Sequence, residues 1–426
     1  MRRWLLKNLH RILCVLAIAV VLGGCQSPGL NPPSSSNLLP STAQLDQNIE
    51  TDEVKLHGTI LFWIDEFIHL DEVQRTVERY QQIQPDVRIV FERVARQDLL
   101  KRFFQQYRAG LAPNLLLIDD DLMVRLIQSN ALLNLKISPA TLATISPAAL
   151  NRVTYQNQIY GLPGAIFTQV LCYNKKRVKD NPLPRTLEDV IAQSNAGYSF
   201  GIPSGFQATF WGLQLFGGKL FDAKGHLILD PTHWADWLSW LEITKNSPNI
   251  ILSVSHQAIA DSFLKGKIDY FVCNSGGITE LIQGLGANNF GITTLPTQGN
   301  QQAGPLIATK NLAVPRNNSP LQNQIALDFA QFATNEEQEK KRALSLRSFV
   351  SPNQNIQLDP RLFPIEAVLI NQVHSSVSIP LDFFYEAETV FGLGEKIYQK
   401  VVEGILSPQE GSEALVSSVK AALQRS

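Results

Sequence analysis

Two groups of acidic residues directly follow apolar runs of the sequence, and one group includes a tryptophan. Trp63, Asp65 and Glu66 close the run that begins near residue 60, and an Asp-Asp-Asp stretch at 119–121 follows the apolar residues 115–118. Carboxylates accept paired hydrogen bonds, and an indole offers a flat apolar face for stacking. Together these side chains suit a molecule with hydroxyl groups at its rim and apolar ring faces, such as a sugar.

Each of these residues also has a purely structural interpretation. Trp63 would then belong to the core beside a solvated acidic loop. Asp121 would cap the helix that follows it, a role that aspartate favours. The sequence favours the binding role for Trp63, Asp65 and Glu66, and it leaves both roles open for Asp121.

Aromatic and amide side chains further along the chain are candidates to complete such a site. Three of them precede a Gly-Gly pair at 217–218, two open a predicted helix, and the rest begin a late helix. The free N–H groups at the start of a helix can bind ligand oxygens. Core packing is the alternative for the aromatic members. The candidates are Gln207, Phe210, Trp211, Asn274, Ser275, Phe383, Phe384 and Tyr385.

The acidic groups also invite comparison with glycoside hydrolases, which place one carboxyl group on each side of the bond they cleave. Pairs within one loop, such as Asp65 with Glu66, do not show that facing geometry. The sequence contains no Ser-His-Asp pattern, P-loop or HExxH motif. Its four cysteines and seven scattered histidines lack the spacing of a zinc site. We therefore predict a binding protein without catalytic residues, metal or cofactor.

The first residues have the order of an export signal, which we assign to residues 1–24. A basic start that includes Arg2 and Arg3 precedes an apolar run at 12–22, too short to span a bilayer that needs roughly 20 residues. Leu22-Gly23-Gly24-Cys25 resembles a bacterial lipobox, which implies cleavage before Cys25 and lipid on its thiol. The alternative is a signal anchor, and the arginine pair leaves general and twin-arginine export both open. Residues 25–53 then form the lipidated cysteine and a flexible Pro/Ser-rich tether.

Length and composition set the class of the remaining chain. The full chain has 426 residues, 44% hydrophobic and 18% charged, and the part after Cys25 can form two globular domains. A formal net charge of -1 gives no sign of a nucleic-acid partner. Once Cys14 leaves with the signal and Cys25 carries lipid, Cys172 and Cys273 remain. A disulfide between them is one interpretation, and two buried free thiols are the one that we favour.

Strand and helix patterns alternate along most of the chain, which predicts an α/β fold with a largely parallel sheet. Strands are expected at 56–63, 87–94 and 115–118, with helices between them. Two extended runs follow at 159–163 and 167–173, divided at Gly164-Ala165. Capping motifs predict helix starts at Thr186, Asp230, Ser319, Thr334 and Ser407.

Several motifs, taken in order, resemble the extracellular solute-binding proteins of sugar-importing ABC transporters, of the maltose-binding type. The first is Thr59-Ile60-Leu61-Phe62-Trp63, a strand that ends in an aromatic residue. Ala109-Gly110-Leu111-Ala112-Pro113-Asn114 resembles the Ala-Gly-x-x-Pro-Asp motif of that family. Tyr160-Gly161-Leu162-Pro163 followed by Tyr173-Asn174-Lys175 is the most specific match. The likeness extends over roughly residues 56–424.

This resemblance implies a two-lobed periplasmic-binding-protein fold with a hinge and a ligand cleft between the lobes. Lobe 1 would comprise residues 54–165 with 308–352, and lobe 2 would comprise 166–307 with 353–426. The chain would cross between the lobes near 164–167, 305–309 and 349–352. Asp121 aligns with a sugar-binding carboxylate, whereas Gly277 stands where the family commonly has a stacking tryptophan.

The function implied is that of a lipid-anchored, extracytoplasmic binding protein on the outer (periplasmic) face of the cytoplasmic membrane. It would capture a carbohydrate, from a monosaccharide to an oligosaccharide or a small glycoside, and deliver it to the permease subunits of an ABC importer. A monomer is expected. A solute receptor used for sensing is the alternative, and a secreted carbohydrate-active hydrolase is a more distant one.

Overall fold

The α/β alternation is confirmed: a computed structural model, which describes residues 55–65, 70–222, 226–345 and 348–424, has two five-stranded sheets and one short two-stranded sheet. The strands are β1 (Gly58–Asp65), β2 (Val87–Val94), β3 (Leu115–Asp119), β4 (Thr154–Tyr155), β5 (Gln158–Ile159), β6 (Leu162–Phe167), β7 (Gln169–Asn174), β8 (Phe200–Pro203), β9 (Ile250–Ser253), β10 (Tyr270–Asn274), β11 (Phe290–Thr293) and β12 (Ala308–Ala313).

The helices flank both sheets, and most of the long ones lie in the C-terminal half. They are α1 (Leu70–Ile83), α2 (Arg96–Arg108), α3 (Asp120–Gln128), α4 (Pro139–Leu142), α5 (Pro147–Leu150), α6 (Lys175–Val178), α7 (Leu187–Asn195), α8 (Phe206–Thr209), α9 (Pro231–Asn246), α10 (His256–Leu264), α11 (Ile278–Leu285), α12 (Pro320–Ala333), α13 (Glu336–Ser345), α14 (Pro364–Ser375), α15 (Phe384–Val402) and α16 (Pro408–Leu423). Short 3-10 turns occupy Phe210–Phe216, Ser275–Gly277 and Leu381–Phe383.

The first sheet has the order β2-β1-β3-β12-β6. Strand β1 pairs in parallel with both β2 and β3, so the carboxyl ends of these three strands meet at one edge. Strand β12 runs antiparallel to both β3 and β6, so β6 has the same direction as β3. One face of the sheet packs Phe62 and Ile64 against α12, and the other packs Trp63 and Leu116 against α2 and α3. A sheet covered on both faces explains why its strands read as continuous apolar runs.

The second sheet has the order β11-β7-β10-β8-β9, and its core is rich in tryptophan. The central strand β10 is antiparallel to β7 and parallel to β8. Cys172 of β7 and Cys273 of β10 form a disulfide, with their Cα atoms 5.9 Å apart. The favoured prediction of two free thiols was therefore wrong. Both cysteines lie in apolar runs, as predicted, but those runs are adjacent strands whose pairing brings the sulfurs together.

The chain crosses from one sheet to the other at points where a strand of the first sheet ends and a strand of the second sheet begins. Strand β6 runs unbroken through Gly164 and Ala165, so the predicted division at those residues was wrong, and the break falls at Thr168. The return from β11 leads into β12, which pairs with β6. Val350 forms a third connection, because it exchanges both backbone hydrogen bonds with Ile166 at 2.9 Å.

Three of the predicted capping motifs form reciprocal side-chain and backbone hydrogen bonds, at Thr186, Ser319 and Ser407. Asp230 also caps its helix, through Thr232 N–H. The Thr334 motif does not form. Its hydroxyl donates to the Ala330 carbonyl at the end of α12, and the neighbouring Asn335 accepts from Gln338 N–H instead. Within the part of the chain that the structure describes, no helix is both long enough and apolar enough to span a membrane.

Candidate functional site

A cleft of about 1630 Å³ lies between the two sheets and takes its walls from both. The first sheet and its helices contribute acidic and basic side chains, and the second contributes amides and glycines. Helix α15 adds a stripe along one face. The polar and aromatic residues that line the cleft include Arg96, Asp119, Asp121, Lys310, Gln169, Gln207, Asn274, Phe167, Phe384 and Phe391.

Carboxylates gather at the edge of the first sheet where β1 and β3 end. Asp65 and Asp119 both contact the ammonium of Lys310, and Arg96 at the start of α2 contacts Asp119. Burial raises the pKa of Asp119, while Lys310 and Arg96 oppose that shift. The predicted residue Asp65 is therefore present at this edge, although it is buried beneath Lys310 and does not line the cleft.

Asp121 projects from the first turn of α3 into the cleft. Its two carboxylate oxygens accept from Arg96 Nη2 at 3.1 and 3.2 Å. The N-cap residue of α3 is Asp119, and no side chain caps that helix. The contacts of Asp121 thus favour a role in the cleft over the capping role, since a carboxylate has about four acceptor positions and Arg96 occupies only part of them.

Asp120, which lies between these two aspartates in the sequence, makes its hydrogen bonds with groups inside the protein. It accepts from Arg152 Nε at 3.1 Å, from Asn311 Nδ2 at 3.0 Å and from Thr309 N–H at 3.2 Å. Arg152 and Asp120 are both buried, so the charges neutralise each other. This network ties the start of α3 to β12, one of the strands that connect the sheets.

The opposite wall presents amide groups from paired strands. Asn274 lies directly across from Gln169 in the β10–β7 pair, and both line the cleft. Gln207 reaches the cleft from α8. Ser275 does not, because it is 1% exposed and its hydroxyl accepts from Thr168 N–H at 3.1 Å. His256 also lines this wall, and burial lowers its pKa, so the ring is neutral near pH 7.

Phenylalanine rings supply the apolar surface of the cleft. Phe384, Phe391 and Phe167 line it, the first two from the stripe on α15. Phe391 is backed by Phe206 and Phe210, with ring centroids 6.1 and 5.4 Å away. The space beside Gly277 is open, since a Cβ there would have no heavy atom within 4 Å. Among the described residues, phenylalanine therefore supplies the large apolar ring faces of the cleft.

The other predicted aromatic residues lie elsewhere. Trp63 is fully buried; its Nε1–H donates to Glu92 at 3.0 Å and the Arg102 guanidinium lies 4.7 Å from its ring centre. Trp211 is buried against Trp237 and Trp240. Tyr385 turns towards α3, where its hydroxyl donates to Gln128. None of the three lines the cleft, so the structure does not place them on the surface where the predicted ligand contacts would form.

Two predicted residues, Glu66 and the lipidation candidate Cys25, lie outside the described residues. Sequence reasoning missed Arg96, Lys310, Gln169, Phe167 and Phe391. Gln169 follows the predicted crossing of the chain between lobes, and that position was the available signal. Among the described residues, no group of His, Cys, Asp and Glu has an arrangement that could hold a metal ion.

Two sheets connected by crossing strands, with a polar and aromatic cleft between them, define a two-lobed binding protein. Residues 75–363 match the family described as bacterial extracellular solute-binding protein, and the chain belongs to that family. It is 21% identical to the galactooligosaccharide-binding protein of Bacillus subtilis (strain 168) over 73% of this chain and 77% of that protein. It is 28% identical to the maltotriose-binding protein of Pyrococcus abyssi over 39% of this chain and 38% of the relative.

Solved structures share the same two-lobed fold. The GacH receptor of Streptomyces glaucescens GLA.O, solved unliganded and with acarbose, matches with a TM-score of 0.75 at 18% identity, over 87% of this chain and 99% of that one. The maltose-binding protein MalE of Listeria monocytogenes, in complex with maltose, matches with a TM-score of 0.73 at 18% identity, over 86% and 98% of the two chains. The predicted fold class and family are confirmed.

Proposed function

We propose that this protein captures a neutral saccharide in the cleft between its sheets and delivers it to the permease of an ABC importer. The observation that carries the proposal is the composition of the cleft walls. Asp121, Gln207 and Asn274 offer hydrogen-bonding groups, and Phe384 and Phe391 offer ring faces. A sugar needs both kinds of contact, the first for its hydroxyls and the second for its apolar ring faces.

The size of the cleft supports an oligosaccharide. Its volume of about 1630 Å³ exceeds the roughly 300–1,000 Å³ of a site for one drug-sized ligand. Two relatives in sequence, a galactooligosaccharide-binding protein and a maltotriose-binding protein, agree with this choice.

Closure of the lobes supplies the second half of the proposal. We assign lobe 1 to residues 54–165 with 308–352, and lobe 2 to 166–307 with 353–426. The connections at Thr168, β12 and Val350 form a narrow antiparallel ladder between larger bodies, which is suited to hinge motion. In a closed cleft the carboxylate and amide groups would reach the ligand from opposite sides.

The family is extracellular, so an extracytoplasmic location follows from membership. The Cys172–Cys273 disulfide agrees with an oxidising compartment.

We further propose that lipid on Cys25 holds the protein at the membrane surface. Changing Cys25 to Ala should release the protein from membranes or leave the precursor uncleaved. Normal cleavage together with unchanged membrane fractionation of the Cys25→Ala protein would rule out this anchor.

The test of capture is a thermal-shift screen against neutral mono- and oligosaccharides, with acidic sugars and amino acids as controls. A ligand at 100 times its dissociation constant should stabilise the protein by about 2.7 kcal/mol. The same panel is checked for released sugars, because turnover would indicate a hydrolase instead. A panel in which only amino acids raise the melting temperature would overturn the saccharide assignment.

A further inference from the structure

Lys310 occupies an unusual position, on a strand that connects the two sheets and between two buried carboxylates. It lies directly opposite Asp119 in the β12–β3 pair and opposite Ala165 in the β12–β6 pair. Its ammonium contacts both Asp65 and Asp119, and its side chain is 12% exposed. The β12–β6 register shifts immediately after it, between Lys310 and Asn311.

The two carboxylates need a counter-charge at this place. Asp65 is 1% exposed and Asp119 is 8% exposed, and they end neighbouring parallel strands. Two buried carboxylates at one site repel each other, and burial raises the pKa of Asp119. Arg96 contacts Asp119, but it is shared with Asp121.

We propose that Lys310 is a positioning residue of the cleft: it holds the side chains of Asp65 and Asp119 in place and so leaves Arg96 to orient Asp121 towards the ligand. Without Lys310, Arg96 would be drawn further towards the buried Asp119, which it already contacts. Asp121 would then lose its orientation. The ligand-binding part of this inference rests on the proposed function.

Four elements of the described chain bring charged groups to the cluster around the ammonium. Asp65 ends β1, Asp119 ends β3, Asp121 belongs to α3, and Arg96 begins α2. The nearby Asp120 is neutralised by Arg152. Asp65, Asp119, Asp121, Arg96 and Lys310 together carry one net negative charge. Removing Lys310 raises this to two negative charges, and two of the three carboxylates are buried.

The first arm of the experiment needs no ligand. The thermal midpoints of the wild type, Lys310→Met and Lys310→Arg are compared from about pH 5 to about pH 8. Loss of the ammonium should raise the pKa of Asp119 further, and a carboxyl whose folded pKa is raised loses stability as pH rises. We expect the difference between Lys310→Met and wild type to widen towards pH 8, and Lys310→Arg to recover most of it.

Matched controls separate this effect from a general loss of charge. Lys341 pairs with Glu337 on the exposed side of α13, so Lys341→Met should keep the wild-type pH profile. If Lys310→Met fails to fold, the double variant Asp65→Asn/Lys310→Met should restore folding, because it removes one of the repelling carboxylates. Failure of that restoration, or a Lys310→Met profile parallel to wild type, would overturn the inference.

The second arm titrates the saccharide with the largest thermal shift. Lys310→Met should bind it roughly 10-fold more weakly at about pH 8, with the deficit shrinking towards about pH 5, and Lys310→Arg should bind nearly as the wild type does. Unchanged affinity of Lys310→Met at about pH 8 would overturn the positioning role. If the wild type binds no saccharide, the proposed function fails, and the ligand-free profiles alone decide the role of Lys310.

Discussion

Asn274 lies directly opposite Gln169 in an antiparallel strand pair, one residue along the chain from the disulfide-bonded Cys273. Both amides line the cleft, so the register of β7 and β10 sets the spacing of two polar groups on one wall. The disulfide fixes that register by a covalent bond between the same two strands.

We therefore expect the Cys172→Ala/Cys273→Ala double variant to lose both stability and affinity. A bridge that closes a separation of 101 residues should stabilise by roughly 2–5 kcal/mol. Denaturant unfolding with and without a reductant measures the first effect. The wild type unfolded and refolded in reductant serves as the control, and it should match the double variant. Equal stability of oxidised and reduced wild type would contradict a stabilising bridge.

Trp63 and Phe391 should respond in opposite ways to substitution. Trp63 is enclosed by Glu92 and Arg102, so Trp63→Ala should cost about 3–5 kcal/mol of stability and leave the affinity of the folded protein unchanged. Phe391→Leu keeps most of the side-chain volume but removes the ring face from the cleft. It should weaken saccharide binding about 3- to 10-fold with little change in stability.

Titration of both variants, together with their unfolding curves, checks this contrast. A Trp63→Ala protein that folds but binds much more weakly would restore the tryptophan to the site. Wild-type affinity in Phe391→Leu would remove Phe391 from it.

An ion pair between the buried Glu339 and the partly buried Arg342 supports the connections between the sheets. Arg342 Nη2 donates to the Gly164 carbonyl of β6 at 2.7 Å and also contacts Glu339. Glu339 accepts from Ser351 Oγ at 2.8 Å, beside the connection at Val350. One pair on α13 thus contacts two of the connecting segments.

We expect Arg342→Met to destabilise the protein by about 3–5 kcal/mol at neutral pH, because it leaves Glu339 buried without its partner. Burial already raises the pKa of Glu339, and Arg342 opposes that rise. Loss of Arg342 should raise the pKa further, so stability should decline as pH increases above the usual glutamate value of about 4.3. Denaturant unfolding at about pH 5 and about pH 8 measures the difference.

Two comparisons complete that experiment. Lys341→Met on the exposed face of the same helix should unfold much as the wild type does at both pH values. The double variant Glu339→Gln/Arg342→Met should be more stable than Arg342→Met near pH 8. A loss of stability in Arg342→Met that does not change with pH would show that the pKa of Glu339 does not depend on Arg342.

Local patterns in the sequence were sufficient for much of the fold. The capping motifs at Thr186, Ser319 and Ser407 depend on residues three positions apart, and strand β2 was predicted with the bounds that the structure shows. The capping motif predicted at Thr334 was wrong because Asn335 is an equally good cap one residue later. The two connections at β6 and Val350 were predicted from the family resemblance, since no local pattern in the sequence marks a hinge.

The site was less predictable because its partners are distant in sequence. Lys310 and Asp65 are 245 residues apart, and no periodicity links them. Trp63 was misplaced for a different reason. The run Ile60-Leu61-Phe62-Trp63 is apolar on both faces of its strand, so alternation could not show that the tryptophan side is covered by α2. Asp121 was ambiguous until the structure showed its contacts with Arg96.

The most direct test of the account is a calorimetric titration of the wild type, Asp121→Asn and Asp121→Ala with the saccharide selected by the thermal-shift screen. Asp121 faces the cleft and does not cap α3. A hydrogen bond to a charged group is worth about 1.5–3 kcal/mol, which corresponds to roughly 10- to 100-fold in affinity. We predict one-site binding by the wild type, a loss of that size in both variants, and unchanged unfolding curves. Wild-type affinity in both variants, or no heat of binding with any saccharide, would contradict the proposal that Asp121 binds a saccharide in this cleft.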